Sequence, residues 1–404
     1  MRLGADGTAV GTTIAVAGVA LALAVMELTL GIVVGFKEEI KRKLMGFDAQ
    51  ISIEAPFDPY TREQAATINP GSAIMDIIDA EAPGTERRLV LRLPGILKTD
   101  TDFEGIVFIG QSPDAGFAFE KGNIVAGEWP DFSADSTRND IVISRATADA
   151  LGLAVGDKVY STYIIDEAVK MRRNTVAGIY EADFGEYDRT MAYASLAALQ
   201  SIANLGPDEG NRLDIRGLPE ENIAPVAARI EAALMAALTA RTIDEYYPVQ
   251  TIEKSGALYF NWLALLDTNV AVIFSLMLCV AAFTLVSSLF ILVLDNVPAI
   301  GILRAIGASG SLIRSIFVDL GMRIVLRGMI IGNVLGIGLL LLQKYTRAIP
   351  LDPEAYYLNS VPVDIRPWAF VALNIGVAVV AWLVLWLPAR TASSVDPAKT
   401  INFE

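Results

Sequence analysis

Four long runs of apolar residues dominate the hydrophobic pattern of this chain. Each run is about 20 or more residues long, which is enough for a helix to cross a hydrocarbon core about 30 Å thick. The runs cover approximately residues 12–34, 269–294, 316–342 and 368–387. The pattern therefore predicts an integral membrane protein with four transmembrane helices.

The first run is predicted to be a retained helix. It is longer than the apolar core of a signal peptide and lacks a small-x-small cleavage site followed by a polar start. Beyond it, apolar Phe36, Ile40 and Leu44 recur at helical spacing, so we expect the helix to leave the membrane as an amphipathic stalk ending at Gly46. Residues 1–46 are thus assigned to the first transmembrane helix and its stalk.

The region between the first two spans changes to the two-residue period of strands. Alternating segments at 48–54, 105–109, 140–144, 157–165 and 174–180 are separated by turns rich in Gly, Pro and Asp. Helical patterns lie between them at 144–151, 196–202 and 221–240, the first opening with Ser144 as N-cap. We predict a mixed α/β domain over residues 47–260, in two lobes that meet near 110–122.

Composition narrows the possible functions. The α/β region carries 18 Lys and Arg against 34 Asp and Glu, and this acidity argues against binding to nucleic acid or flat binding to anionic lipid. The chain contains no histidine, which excludes Ser-His-Asp and Cys-His centres and any His-ligated metal. Its one cysteine, Cys279, cannot form an intrachain disulfide. No catalytic site and no metal site are predicted.

The short loop between the second and third spans has an amphipathic pattern. Ile300, Leu303 and Ile306 form an apolar stripe at helical spacing, Arg304 lies on the opposite side, and Gly307 and Gly310 are expected to terminate the helix. Such a helix is expected to lie along the membrane surface or to dock in a groove on another protein. The charges flanking the spans do not indicate orientation, since the Lys and Arg count slightly favours the reverse of a domain-outside topology.

Polar and small residues within the spans indicate helix packing. Glu27 lies near the middle of the first span, and a contact with Arg327 of the third span is one predicted way to compensate its charge, with Arg323 reaching toward the headgroups instead. Glycines repeat at four-residue spacing, which permits close helix approach. They are Gly31 and Gly35 in the first span and Gly328, Gly332 and Gly336 in the third.

Several segments resemble a known family. They are AVAGVALALAVMELTLGIVVGFKEEIKRKLMGFDAQISI at 15–53, FNWLALLDTNVAVIFSLML at 260–278, IGILRAIGASGSLIRSIF at 300–317 and LPARTASSVDPAKTINFE at 387–404. In this order they resemble the permease subunits of MacB-like ABC transporters, and within them the LolC/LolE lipoprotein-releasing branch. The resemblance implies a MacB-like periplasmic core domain at 47–260 and an FtsX-like permease domain at 261–404 with a cytoplasmic C-terminal tail.

The resemblance also implies partners. Family members work as homo- or heterodimers of permease subunits in the bacterial inner membrane and bind a separate ATPase, which would hold ATP and Mg. Their ATPase contact is a cytoplasmic coupling helix, here 299–310, with Ile300, Gly301, Leu303, Arg304, Ala305, Gly307 and Ala308 as its expected residues. In the lipoprotein-releasing branch the ATP-driven motion extracts lipoproteins from the outer leaflet and passes them to a periplasmic carrier. No G-x-x-x-x-G-K-[ST] motif occurs in the sequence, in agreement with this division of labour.

An amphiphilic substrate would need an apolar cleft, since acyl chains must stay out of water during extraction. Candidates flank the outer membrane surface, with Glu27 added from within the span. They are Glu27, Phe36, Leu44, Met45, Tyr259, Phe260 and Trp262. The acidic run 183–188 is a candidate docking surface for a basic carrier.

The sequence departs from the family pattern in two places. Only about ten residues precede the first span, and Pro298-Ala299 occupies the position where a charged residue is expected before the coupling helix. Two alternatives remain open: a MacB-like exporter of peptides or small molecules, and an FtsX-like transmembrane regulator of a cell-wall hydrolase.

Overall fold

The computed structural model describes residues 3–56, 67–111, 118–165, 167–182, 184–185, 189–352 and 356–392, with side chains from 11 to 389. These residues form two compact units. The membrane unit contains Met1–Glu39, Asn261–Pro350 and Ser360–Glu404, and the α/β unit contains Ile40–Phe260 and Leu351–Asn359.

The helices are α1 (Leu3–Phe47), α2 (Ser72–Glu81), α3 (Ala118–Gly122), α4 (Arg145–Leu151), α5 (Leu196–Ala203), α6 (Glu220–Thr239), α7 (Ile252–Ser255), α8 (Ala257–Asp295), α9 (Val297–Ala305), α10 (Gly310–Thr346) and α11 (Pro367–Ala392). The strands are β1 (Ile51–Glu54), β2 (Glu86–Lys98), β3 (Phe103–Gln111), β4 (Ile124–Gly127), β5 (Asp140–Ser144), β6 (Lys158–Ile165), β7 (Ala168–Tyr180), β8 (Met191–Ser195), β9 (Arg212–Arg216) and β10 (Val249–Thr251).

In the membrane unit, α1, α8, α10 and α11 are long and apolar enough to cross a bilayer, so the four predicted spans are confirmed. Side chains from all four helices share one apolar core, with Leu23, Leu285, Val325 and Leu385 among its buried members. The first helix is continuous over 45 residues and ends at Phe47, one residue beyond the predicted Gly46. The stalk is therefore an uninterrupted extension of the first span.

The α/β unit is built on a ten-stranded sheet within the described residues. Six of its strands close a ring of hydrogen-bonded neighbours in the order β2, β3, β8, β5, β7 and β6, with β6 pairing back to β2. The other end of β2 pairs with β9, and β9 continues through β1 to β10. One end of the long strand β2 thus lies in the ring, and its other end lies beside β9, β1 and β10.

Apolar residues inside the ring form a second core, which α4 and α5 help to close. The sequence pattern explains α4: the hydroxyl of Ser144 accepts the N–H of Thr147 at 3.1 Å as the predicted N-cap, and Gly152 ends the helix in the left-handed conformation. Elsewhere, α2 packs on α6, where Arg229 pairs with Glu81 at 2.8 Å.

The predicted boundary between two lobes near 110–122 stays a prediction, because residues 112–117 lie outside those that the structure describes. The two parts of the sheet share β2. The pattern missed β2 because Pro94 and Gly95 interrupt its alternation. A glycine suits position 95, because a Cβ there would stand 2.9 Å from the carbonyl oxygen of Thr162 in β6.

Candidate functional site

The glycines of α10 pack directly against α1 in a feature we call the glycine seam, formed by Gly328, Gly332 and Gly336. A Cβ at Gly328 would stand 2.8 Å from Cβ of Val19, and one at Gly332 would stand 2.8 Å from the carbonyl oxygen of Ala20. The residue numbers of α1 and of α10 increase in the same direction along the seam, so the two helices run parallel. The absence of side chains is what permits this close approach.

The two glycines of α1 extend the same packing. Gly31 faces Leu340 of α10, and a Cβ there would stand 2.8 Å from a methyl carbon of Leu340. Gly35 faces backbone instead, with the carbonyl oxygen of Pro362 2.9 Å from its Cβ position. The backbone N–H of Asp364 donates to the carbonyl oxygen of Gly31 at 3.1 Å, which attaches the loop before α11 to α1.

Glu27 lies at the end of the glycine seam in a buried polar cluster with Asn333 of α10 and Asn374 of α11. Its side chain is fully buried, and one carboxylate oxygen accepts a bond from Asn374 Nδ2 at 3.4 Å. Asn333 Nδ2 in turn donates to Asn374 Oδ1 at 2.8 Å. The second oxygen of Glu27 lies against Gly336 and has no hydrogen-bond partner in the described part of the chain.

The predicted contact between Glu27 and Arg327 is wrong. Glu27 is level with Gly336, so Arg327 lies nine residues, or about 13 Å, away along α10. Arg327 is also one residue out of phase with the seam and is exposed. Arg323 pairs instead with Asp319 one turn earlier, at 2.8 Å, and both side chains are exposed.

The predicted coupling helix forms as α9, but its apolar residues do not share one face. Ile300 is buried in the membrane core and Gly301 is also buried, whereas Ile302, Leu303 and Ile306 are 62%, 41% and 79% exposed. Each step of three residues rotates by about 300°, which is about 60° short of a full turn. Residues at this spacing therefore wind around the helix instead of staying on one face. Arg304 is half-buried and Ala305 exposed. The exposed apolar side chains nevertheless form a patch suited to a protein groove.

The two glycines expected to end α9 have different roles. Gly307 has a φ of +100° and ends the helix, as predicted. Gly310 instead begins α10, with Ser309 as its N-cap accepting the N–H of Leu312 at 3.3 Å. The backbone N–H of Ala308 returns to the carbonyl oxygen of Leu303 at 3.0 Å, so the turn between the two helices is short.

The aromatic cleft candidates lie in ring pairs. In the membrane unit, Phe36 packs edge-on against Trp262 with ring centroids 5.3 Å apart. In the α/β unit, Tyr259 lies in a cluster with Phe184 and Tyr357, at centroid distances of 5.5 and 5.4 Å.

The remaining cleft candidates differ in exposure. Leu44 is fully buried, and Met45 and Phe260 are half-buried. Phe36 and Glu27 are also buried. The candidates accessible at a surface of their own unit are therefore the half-buried Met45, Tyr259, Phe260 and Trp262. Of the acidic run 183–188 the structure describes only residues 184 and 185, so the carrier-docking prediction lies outside the described residues.

The stalk ends in an ionic network that sequence reasoning missed, which we call the stalk joint. Its members are Asp48, Arg92, Arg212, Asp214 and Arg216. Arg216 donates to the carbonyl oxygens of Met45 and Gly46 at 3.2 and 3.1 Å, so it caps the C-terminal end of α1 from β9. Asp48 is buried and accepts from Arg92 at 3.0 Å and from Arg212, whose Nε donates to Asp214. The only sequence signal is the charged alternation RLDIR at 212–216.

The electrostatics of the stalk joint favour its charged form. Burial alone would raise the pKa of Asp48, but the guanidinium groups of Arg212 and Arg92, with the N–H of Ala49, outweigh this and hold that pKa below its ordinary value. Burial alone would lower the pKa of Arg212, but Asp214 and Asp48 raise it. The joint is therefore a buried, compensated ion-pair network.

The hairpin of β6 and β7 exposes apolar side chains near its tip. Ile164 is 70% exposed and Val169 66% exposed, and Tyr160 and Met171 are also exposed on these strands. Contiguous exposed apolar surface on a water-facing domain is typical of a protein-binding site. Within the described residues no group of His, Cys, Asp or Glu is arranged to hold a metal ion.

Comparison with known protein families identifies the same two parts of the chain, the α/β domain and the membrane helices that follow it. The model of the MacB-like periplasmic core domain matches residues 12–233, more than half of the chain, and the model of the FtsX-like permease C-terminal matches 271–397. The chain is 26% identical to the lipoprotein-releasing system transmembrane protein LolC of Xylella fastidiosa, over 96% of this chain and 92% of that protein. It is 27% identical to the lipoprotein-releasing system transmembrane protein LolE of Haemophilus influenzae, over 70% and 68%.

A solved structure is also similar. The periplasmic region of MacB from Actinobacillus actinomycetemcomitans covers 54% of this chain and 96% of that one, at 12% identity and a TM-score of 0.34. The two family models together span the first helix, the α/β domain and the last three helices in the order seen in the structure. The chain therefore belongs to the family of MacB-like periplasmic core domain proteins, with an FtsX-like permease as its membrane part.

Proposed function

We propose that this chain is the permease subunit of an ABC transporter that releases lipoproteins from the bacterial inner membrane. In this proposal a partner ATPase binds ATP and Mg, and a second permease subunit, identical or different, completes the dimer. The motion extracts lipoproteins from the outer leaflet and hands them to a periplasmic carrier. The near-complete overlap with proteins named as lipoprotein-releasing supports the substrate class.

The observation that carries the proposal is the continuity of α1. One helix runs from the first span into the α/β unit, and its last carbonyl groups are bonded by Arg216 of the sheet. A continuous helix that is bonded at its end to β9 is suited to transmit displacement to the sheet. Such a connection suits a machine in which force generated elsewhere must reach a water-soluble domain.

Two exposed apolar surfaces supply the partner contacts of this proposal. The patch of Ile302, Leu303 and Ile306 on α9 is the proposed ATPase contact, since apolar helix faces dock in grooves of partner proteins. The tip of the β6–β7 hairpin is the proposed carrier contact. A carrier that accepts acyl chains must itself present apolar surface, and the exposed Ile164 and Val169 match that requirement.

Depletion of the protein in its own bacterium tests the function. We expect lipoproteins destined for the outer membrane to accumulate in the inner-membrane fraction, and we expect an ATPase to co-purify with the tagged chain. Loss of peptide or small-molecule export without lipoprotein accumulation would indicate a MacB-like exporter instead. Loss of cell-wall hydrolase activation alone would indicate an FtsX-like regulator.

Topology can be tested separately. Cys279 is the sole cysteine of the chain, so a Cys279→Ser background permits single reporter cysteines. We expect Asp140→Cys to react with an impermeant maleimide from the periplasm and Ser311→Cys, beside α9, to react only after the inner membrane is opened. Labelling of both positions from the same side contradicts the proposal.

A further inference from the structure

A polar cavity of about 280 Å³ opens in the α/β unit between β6, β7, β8 and α5, away from the stalk joint and the hairpin tip. Taking about 30 Å³ for each water, it has room for roughly nine waters or a small organic molecule. The small side chains of Ala194 and Ala198 leave this space where larger residues would fill the ring core. Its walls come from these strands and α5, and from Arg138 and Asn139 in the segment before β5.

Two arginines line the cavity. Arg138, before β5, and Arg172, on β7, are both exposed at its mouth. Neither side chain forms an ion pair with any residue that the structure describes, and the guanidinium group of Arg172 donates to the carbonyl oxygen of Met171. The domain has nearly twice as many acidic as basic residues, yet neither guanidinium group at this opening has an acidic partner among the described residues.

Several other arginines of the same domain are paired with acidic side chains. Arg87 pairs with Asp79, Arg88 with Glu86 at 2.8 Å, and Arg229 with Glu81 at 2.8 Å. The stalk joint adds Arg92 and Arg212. Acidic side chains of the domain thus pair with arginines elsewhere. None of the described acidic side chains pairs with Arg138 or Arg172.

Neutral hydrogen-bonding groups form the rest of the polar lining. Asn174 is buried, accepts from the hydroxyl of Ser161 at 2.6 Å and donates to the carbonyl oxygen of Asn139 at 3.2 Å, which fixes the floor. The buried ring of Tyr163 and the side chains of Asn139 and Ser201 also line the cavity. Arginine forks with neutral donors beside them recognise phosphate oxygens, which accept several bonds at once.

From this arrangement we infer that the cavity is a binding site for a phosphate ester, held between the guanidinium groups of Arg138 and Arg172. The phosphate sits between the two forks, and the ester group extends over Asn139 and Ser201. Two sources present this chemistry: the headgroup of a phospholipid, which is a phosphodiester, and a free phosphate monoester. Neither is part of the transport function proposed above.

Titration calorimetry of the full-length protein in dodecyl maltoside micelles, which contain no phosphate, tests the inference. The probes are inorganic phosphate, glycerol 1-phosphate as the monoester, and glycerophosphoglycerol as the headgroup diester. We expect saturable binding of at least one ester, with glycerol alone giving no heat. Tighter binding of the diester indicates a lipid headgroup, and tighter binding of the monoester indicates a soluble phosphate.

The variants Arg138→Gln and Arg172→Gln should each raise the dissociation constant about tenfold or more, because each removes a charge-assisted contact. Arg173→Gln is the matched control. It removes the same charge from the adjacent position of β7, whose side chain alternates to the other side of the strand, and should change the constant less than twofold. All three side chains are exposed, so the melting temperature should not change.

Two results would overturn the inference. One is the absence of binding of all three probes at low ionic strength. The other is an equal weakening by Arg138→Gln, Arg172→Gln and Arg173→Gln, which would show a diffuse response to charge and no site.

Discussion

Gly332 of α10 lies so close to Ala20 of α1 that a Cβ on the glycine would stand 2.8 Å from the carbonyl oxygen of the alanine. The obstacle is backbone and cannot rotate away. The same position would also bring the Cβ within 3.1 Å of Cβ of Leu23. The spacing of the two helices is therefore set by the absence of one methyl group.

Gly332→Ala should separate α1 from α10 and destabilise the membrane unit. Overpacking of this kind costs about 1–3 kcal/mol, so we expect a lower melting temperature for the detergent-solubilised protein. Gly338→Ala is the matched control, since a Cβ at Gly338 on the same helix meets nothing within 4 Å. Equal melting temperatures for the two variants would show that the seam is not a tight contact.

Glu27→Gln should preserve the fold, whereas Glu27→Leu should not. A carboxylate that is fully buried in a span and has one amide partner is costly to ionise. Glutamine keeps the shape and the acceptor for Asn374, while leucine removes that acceptor and places a methyl group in the space against Gly336, where overpacking costs about 1–3 kcal/mol. The yield of monodisperse protein after size exclusion measures both. Loss of the glutamine variant would mean that a negative charge is required there.

Asp48→Asn should loosen the attachment of the stalk to the sheet. The substitution leaves Arg212 and Arg92 without their shared carboxylate, and breaking a buried pair from one side costs about 3–5 kcal/mol. Hydrogen exchange of the β9 amides, followed by mass spectrometry on the full-length chain, should accelerate. Exchange in β7, which lies in the ring, is the internal reference and should change little.

The same residue predicts a pH dependence. The pKa of Asp48 is held below its unfolded value of about 3.9, so its contribution to stability is complete above that value and is lost as pH falls through the lower, folded pKa. Protection of β9 should therefore decrease below about pH 4 in the native chain. It should be less sensitive to pH in Asp48→Asn, and an identical pH profile would contradict the assignment.

Elements with a clear local periodicity could be predicted from the sequence, whereas β2, β4, β8, β9 and β10 were not. The four spans followed from apolar runs, β5 was predicted at its observed bounds, and the Ser144 cap located α4. The stalk joint could not be predicted in this way, because the bond between Arg212 and Asp48 joins residues 164 positions apart. No local pattern reports a pairing that only the assembled sheet creates.

The error over Glu27 has a different physical reason. Depth counted from the ends of apolar runs assumes that both helices enter the membrane at their predicted ends. The true register is set by the glycine seam, which places Glu27 beside Gly336 and not beside Arg327. The glycines were identified from the sequence, but their partners on α1 depend on how far one helix slides along the other.

Ile306→Asp should weaken binding of the ATPase proposed above as the partner of this chain. Ile306 is an exposed apolar side chain beyond the last turn of α9, and a charge in the centre of an apolar contact is costly to desolvate. We expect at least tenfold less ATPase to co-purify, with an unchanged melting temperature. Ser311→Asp places the same charge at an exposed position of the first turn of α10 and should leave co-purification intact. Equal recovery with both variants would exclude α9 as the contact.

If the proposed function is correct, Ile164→Asp should block the transfer of released lipoprotein to the carrier. The rate of ATP hydrolysis by the partner ATPase should not change. Its side chain projects from the hairpin and contributes nothing to the ring core, so the fold should be retained. In proteoliposomes containing the permease dimer, its ATPase and a lipoprotein, we expect unchanged ATP hydrolysis and at least a tenfold lower yield of soluble lipoprotein–carrier complex.

Met235→Asp is the matched control, since Met235 is an exposed apolar side chain on α6 of the same domain. If both variants transfer lipoprotein at the native rate, the hairpin is not the docking surface. If both lose transfer equally, the effect comes from added negative charge on an already acidic domain and not from the lost apolar contact.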